Sequence, residues 1–175
     1  MRGDSVRHKK GLIIGLAAAL AAALVCAVLW SCGVLGGREM TVGKRVALKD
    51  ITEFYYTEAA STNPPSYQRY RFYLSDGKYL FYHEKREGDH FPLREADVTV
   101  SGTVELSEEQ WAEFLACVDG GSVQKRTEST DSGSSGPWLY LYWKGDRSRY
   151  QEFSFASTAQ QAAFLALCHI LSTAA

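Results

Sequence analysis

Asparagine is almost missing from this chain of 175 residues: the only one is Asn63, and Pro64 follows it, so the sequence holds no N-glycosylation acceptor. Four cysteines are too few for a scaffold built on disulfides. There is no basic excess either; the formal net charge is −1, which argues against a nucleic-acid partner. Glycine-rich phosphate loops are absent, since Gly133-Ser134-Ser135-Gly136 has neither the spacing nor the lysine of a P-loop. The sharpest absence is of charge near the start: residues 11–37 contain no Asp, Glu, Lys, Arg or His.

That uncharged stretch carries 20 apolar-rich residues, Leu12 to Ser31. At a rise of about 1.5 Å per residue they span roughly 30 Å, one bilayer core. Arg2, Arg7, Lys9 and Lys10 precede it, and Trp30 stands at its far end, where an indole suits the lipid–water boundary. The expectation is a single transmembrane anchor over residues 11–36, with Leu12, Leu16, Leu20 and Leu24 in one column. Residues 1–10 form a cytoplasmic tail and the rest of the chain lies outside the membrane. Gly11, Gly15, Ala19, Ala23, Ala27 and Ser31 form a neighbouring column of small residues, the spacing that lets two helices approach, so a homodimer through the span is a further expectation.

Two processing routes compete with an uncleaved anchor. One is cleavage as a secretory signal, whose apolar core is ordinarily shorter. The other is lipidation of Cys32, because Leu29-Trp30-Ser31-Cys32 resembles the bacterial lipoprotein box, with Trp30 where that box has a small residue. The layout as a whole resembles short single-pass bacterial proteins.

After a linker over residues 37–48 the composition changes. Residues 48–175 hold 12 Lys/Arg against 18 Asp/Glu, a net −6, together with 21 aromatic residues, which favour strands and supply a core. Strands are expected over 50–57, 67–74, 78–85, 97–106, 138–143 and 148–155. Asp76-Gly77 joins the second and third in a tight hairpin pairing Leu74 with Tyr79, Phe72 with Phe81 and Tyr70 with His83. Ser107-Glu108-Glu109-Gln110 has the form of a capping box opening a helix, which Gly120-Gly121 halts. Ser157 to Gln160 repeats that form before a last helix burying Ala163, Phe164, Leu167, Ile170 and Leu171. The fold class is therefore α+β over residues 49–175: a mostly antiparallel sheet of five or six strands with two helices on one face.

No catalytic set emerges from the motifs. Ser122-Val123-Gln124-Lys125 resembles the Ser-x-x-Lys of penicillin-binding proteins, but it follows a helix end instead of opening a helix. His83-Glu84 begins like a zinc-protease helix, yet Glu87 stands where the second histidine belongs, so no metal site and no cofactor are expected. Cys117 and Cys168 can pair only if their helices lie side by side. Arg69, Arg71, Tyr73 and Tyr82 share one hairpin face that Tyr140 and Tyr142 extend, and tyrosine and arginine dominate binding hot spots. The expectation is a membrane-anchored, non-enzymatic extracytoplasmic domain that binds a protein or an envelope glycan and no nucleic acid. The alternative is a small exported cell-envelope hydrolase with acids such as Glu84, Asp89 or Glu152, or a lipid-anchored lipoprotein.

Overall fold

A computed structural model of the chain describes residues 20–28, 39–126, 137–145 and 150–173. The chain divides into two units, Met1–Arg38 and Glu39–Ala175. In the first, residues 20–28 form helix α1, on which Leu20 and Leu24 are exposed. Leu12, Leu16, Trp30 and Cys32 lie outside the described residues. Among the described residues no helix is long and apolar enough to cross a membrane.

The second unit is α+β, and its single sheet has eight antiparallel strands rather than five or six. In chain order these are β1 (Met40–Thr41), β2 (Ile51–Ala60), β3 (Ser66–Ser75), β4 (Lys78–Glu87), β5 (Val98–Glu105), β6 (Ser122–Arg126), β7 (Trp138–Trp143) and β8 (Tyr150–Ser154). Helix α2 (Glu108–Val118) separates β5 from β6, and α3 (Thr158–Ser172) follows β8. The spatial order is β1-β6-β8-β7-β2-β3-β4-β5. Four consecutive strands, β2 to β5, make a meander; α2 then carries the chain back across the sheet so that β6, β7 and β8 complete the other half.

The two additional strands are β1 and β6. β6 starts two residues after Gly120, where the helix-end signal masks it, and β1 is only two residues long. β1 falls within the stretch 37–48 that was expected as a linker. Val42 and Val46 are buried in the core, and Val42 N–H donates to the Gly121 carbonyl at 2.8 Å. The second compact unit runs from Glu39.

The β3–β4 hairpin has the register expected from Asp76-Gly77: Leu74 pairs with Tyr79, Phe72 with Phe81 and Tyr70 with His83. Asp76 and Gly77 have φ of 51° and 77°, the positive pair that a type I′ turn requires and that glycine takes without steric cost. Every second residue therefore points to the same side. Phe54 and Tyr56 of β2, Tyr70 and Phe72 of β3, Phe81 of β4, Leu139 and Leu141 of β7 and Phe153 of β8 are all buried on the side facing the helices.

Both helices pack on that side. Trp111, Phe114 and Val118 of α2 are buried, and the Phe114 ring stacks on Phe72 at 4.3 Å between centroids. The capping box of α2 is complete: Ser107 Oγ accepts from Gln110 N–H at 3.2 Å, and Gln110 Oε1 accepts from Ser107 N–H at 2.9 Å. At α3 only half of the motif forms. Ser157 Oγ accepts from Gln160 N–H, but the Gln160 amide donates instead to the Asp119 carbonyl at the end of α2, at 2.8 Å, tying the two helices together. The buried stripe of α3 is Phe164, Leu167, Cys168 and Leu171. Ala163 and Ile170, expected inside, are exposed, because they stand about 100° off that stripe.

Candidate functional site

Pleating sends the alternate residues of the same strands to the side that neither helix covers. There β2 presents Glu53, Tyr55 and Thr57, β3 presents Tyr67, Arg69, Arg71 and Tyr73, β4 presents Tyr82, Glu84 and Arg86, and β7 presents Tyr140 and Tyr142. Such a face is ordinarily polar and solvated. This one has two buried carboxylates set into it: Glu53 is 2% exposed and Glu84 6%.

Each of these glutamates lies beside its own guanidinium. Arg71 Nε donates to Glu53 Oε1 at 2.7 Å, its Nη2 pairs with the same oxygen, and Tyr55 OH donates to it at 2.5 Å. The Arg71 guanidinium lies between two rings, 4.1 Å from the centroid of Tyr73 and 5.2 Å from that of Tyr55. The second unit repeats the plan on β4. Arg86 Nε donates to Glu84 Oε1 at 2.5 Å, Tyr82 OH donates to Oε2 at 2.6 Å, and Arg86 sits 4.3 Å over Tyr67. A carboxylate is kept in a low-dielectric setting only by such charge-assisted bonds.

These contacts set the protonation states. Burial raises the Glu84 carboxyl, but the Tyr82 hydroxyl and the Arg86 guanidinium outweigh it and leave it below the usual range. Burial, reinforced by Glu84, pushes the Tyr82 phenol up to about 12. Burial also raises Tyr55 and Tyr67, the first against the opposing pull of Arg71. All three phenols therefore stay neutral at physiological pH; Tyr55 and Tyr82 donate to the glutamates, and Tyr67 offers its ring face to Arg69 and Arg86.

Arg69 stands between the Glu53–Arg71 and Glu84–Arg86 pairs; its charge helps to hold Glu84 low, but it forms no ion pair with either glutamate. Its cross-strand neighbours are Thr57 on β2 and Glu84 on β4, but the Glu84 carboxylate turns to Arg86 and Tyr82. Arg69 makes a long 3.3 Å contact from Nε to Thr57 Oγ1 and lies 5.6 Å from the Tyr67 ring centroid. Among the described residues it has no ion-pair partner. Beside it opens a cleft of about 390 Å³ lined by Glu53, Tyr55, Thr57, Arg69, Tyr140 and Tyr142. Tyr55 and Tyr142 meet edge to face across it, 6.2 Å between centroids. With Glu53 engaged by Arg71, the cleft offers one guanidinium that has no ion-pair partner among the described residues, together with three phenol rings.

The six residues singled out from the sequence thus fall on one face. Arg69, Tyr140 and Tyr142 line the cleft; Arg71 and Tyr73 flank it by holding Glu53; Tyr82 serves Glu84. Sequence reasoning missed Glu53, Tyr55, Thr57, Tyr67 and Arg86. Strand alternation alone places Tyr55 beside Glu53 on one face, but the pairing of β2 with both β3 and β7, which builds the cleft, leaves no local signal.

Two of the acids considered for hydrolysis, Glu84 and Glu152, do not converge. Glu152 is on β8 and Glu84 on β4, four strand spacings apart, or about 19 Å, against the roughly 5–10 Å of a glycosidase pair. Asp89 is on an exposed loop beside His90. Among the described residues no three His, Cys, Asp or Glu side chains gather as a metal requires. His83 instead faces the helices, stacked on Tyr70 at 5.5 Å with Nε2 3.0 Å from the Gln68 amide. Cys117 is half-buried on α2 and Cys168 fully buried on α3, and neither is bonded to another sulfur in the structure. Compared with protein-family models, curated proteins and solved structures, the chain matches none.

Proposed function

We propose that this chain is a membrane-tethered, non-enzymatic binding module. Its uncharged N-terminal stretch holds it in the bilayer as a single-pass anchor with the N-terminus in the cytoplasm, and the α+β domain works outside. The binding site is the cleft on the helix-free face. Arg69 takes a carboxylate of an extracytoplasmic protein or envelope glycan, while Tyr55, Tyr140 and Tyr142 pack against the body of that ligand. One observation carries the reading: among the described residues, Arg71 and Arg86 on this face are ion-paired to glutamates, whereas Arg69, whose charge reaches Glu84 without an ion pair, lies at the cleft.

The test uses full-length protein in detergent, titrated in separate arms with acidic oligosaccharides and with acidic peptides. Whichever class binds, Arg69→Ala is expected to weaken it by about 10- to 100-fold, the value of one charge-assisted pair. Affinity should also fall with added salt. Unchanged affinity in the variant would exclude the cleft as the site.

A further inference from the structure

The two margins of the sheet are built differently. At one, β1 is two residues long and the chain then turns back on itself, with Gly43 N–H bonded to the Val46 carbonyl and Arg45 N–H to the Thr41 carbonyl. At the other, β5 offers eight residues that pair only with β4. Exposed edges are ordinarily blunted by lysine, proline, bulges, shortness or a covering element. β5 has no Lys, Arg or Pro, and its one irregularity is confined to its start, where the register shifts opposite Lys85 and Arg86. Thr99, Val100, Ser101 and Thr103 are exposed, Val100 at 47%.

We propose that β5 is a self-pairing edge, joining two copies of this chain antiparallel about Gly102 into one continuous sheet. A second copy is the occupant because the strand is close to palindromic in chemistry. With Gly102 opposite Gly102 of the second copy, Ser101 meets Thr103, Val100 meets Val104 and Thr99 meets Glu105. Val104 is opposite Phe81 within the domain, so both valines lie on the helix side and the hydroxyl residues on the open side, which makes every cross-strand pair compatible. Glu105, the strand's only ionised side chain, is held by Lys78 of its own chain at 2.6 Å and meets no like charge in this register. Centring on Ser101 instead would set Glu105 against Asp97.

The geometry has a consequence for the cleft. The two-fold axis of an antiparallel edge pairing is perpendicular to the sheet, so both helix-free faces look the same way. Arg69 is level with Glu84 and Ser101 in the register, one residue from the axis. The two Arg69 residues then stand five strand spacings apart, about 24 Å. Two clefts on one surface would grip a partner carrying repeated acidic groups with gain from avidity.

The pairing is tested in native membranes with the full chain. Ser101→Cys and Thr103→Cys variants, differently tagged, are co-expressed and mildly oxidised. The mixed disulfide is expected at least fivefold above that formed by either variant alone, and Val100→Lys in both copies should return it to background. All three positions are exposed, so the domain should fold unchanged, as circular dichroism would verify. The single-variant controls carry the same anchor, so helix association within the membrane cannot produce the difference. A mixed disulfide no more abundant than in the single variants, or one insensitive to Val100→Lys, would overturn the proposal.

Discussion

The Arg71 guanidinium crosses from β3 to the Glu53 carboxylate on β2, 2.7 Å from Nε to Oε1, with Tyr73 stacked 4.1 Å away. Glu53 is almost wholly buried, while the Arg71 side chain keeps 34% of its surface in solvent. Arg71 is therefore structural first: it makes burial of Glu53 tolerable.

Replacing Arg71 with Ala should destabilise the domain by about 2–3 kcal/mol, because Glu53 loses its counter-charge while still buried. Adding Glu53→Gln to that variant should recover part of the loss. Urea denaturation of the two single variants and the double variant measures the coupling.

Phe54 is the centre of the core. Its ring lies 5.2 Å from those of Phe153 and Phe164 and 5.7 Å from that of Phe114. Phe54→Ala should cost about 3–5 kcal/mol, whereas Ile170→Ala on the exposed side of α3 should stay within about 0.5 kcal/mol. Denaturant midpoints compare them directly.

Acid should destabilise the domain in two steps. Burial and the nearby Lys85 hold His83 below its usual 6.5. The unfolded chain then takes up that proton before the folded one, and stability falls as pH drops below 6.5. Glu84, also held low, contributes stability above its usual 4.5 that disappears as pH falls further. Melting temperature followed against pH should show both steps, and His83→Gln should remove the first alone.

The two domain thiols should react unequally. Burial raises the pKa of both, far more for the enclosed Cys168 than for Cys117. Alkylation of the folded protein should mark Cys117 slowly and Cys168 only after unfolding, as read by peptide mass. A peptide pair joined through these two sulfurs in freshly isolated protein would contradict free thiols.

What the sequence showed, and what it hid, follows from the range of each signal. The Asp76-Gly77 turn and the Ser107–Gln110 capping box are local, and both were legible. The alternation of Arg69 with Arg71 and of Tyr140 with Tyr142 placed these residues on common faces. Which glutamate each arginine holds was not legible, since Glu53 and Arg71 are 18 residues apart and meet only through strand pairing. For that reason Arg71, which looked like a binding residue, turns out to be occupied, and Arg69 takes its place as the probe of the site. β6 was masked because it follows a helix end at once, and β1 because two residues carry no periodicity.

A photoreactive residue placed at Tyr142 on the helix-free face, with a second variant at Ile170 on the helix side, tests the proposed role most directly. Full-length protein is irradiated in its native membrane. The expected result is a discrete adduct from position 142 in the membrane fraction and none from position 170, which is 65% exposed and equally able to react. Adducts from position 170 alone, or full-length chain recovered without detergent in the soluble fraction, would contradict a membrane-held domain that binds through its open sheet face.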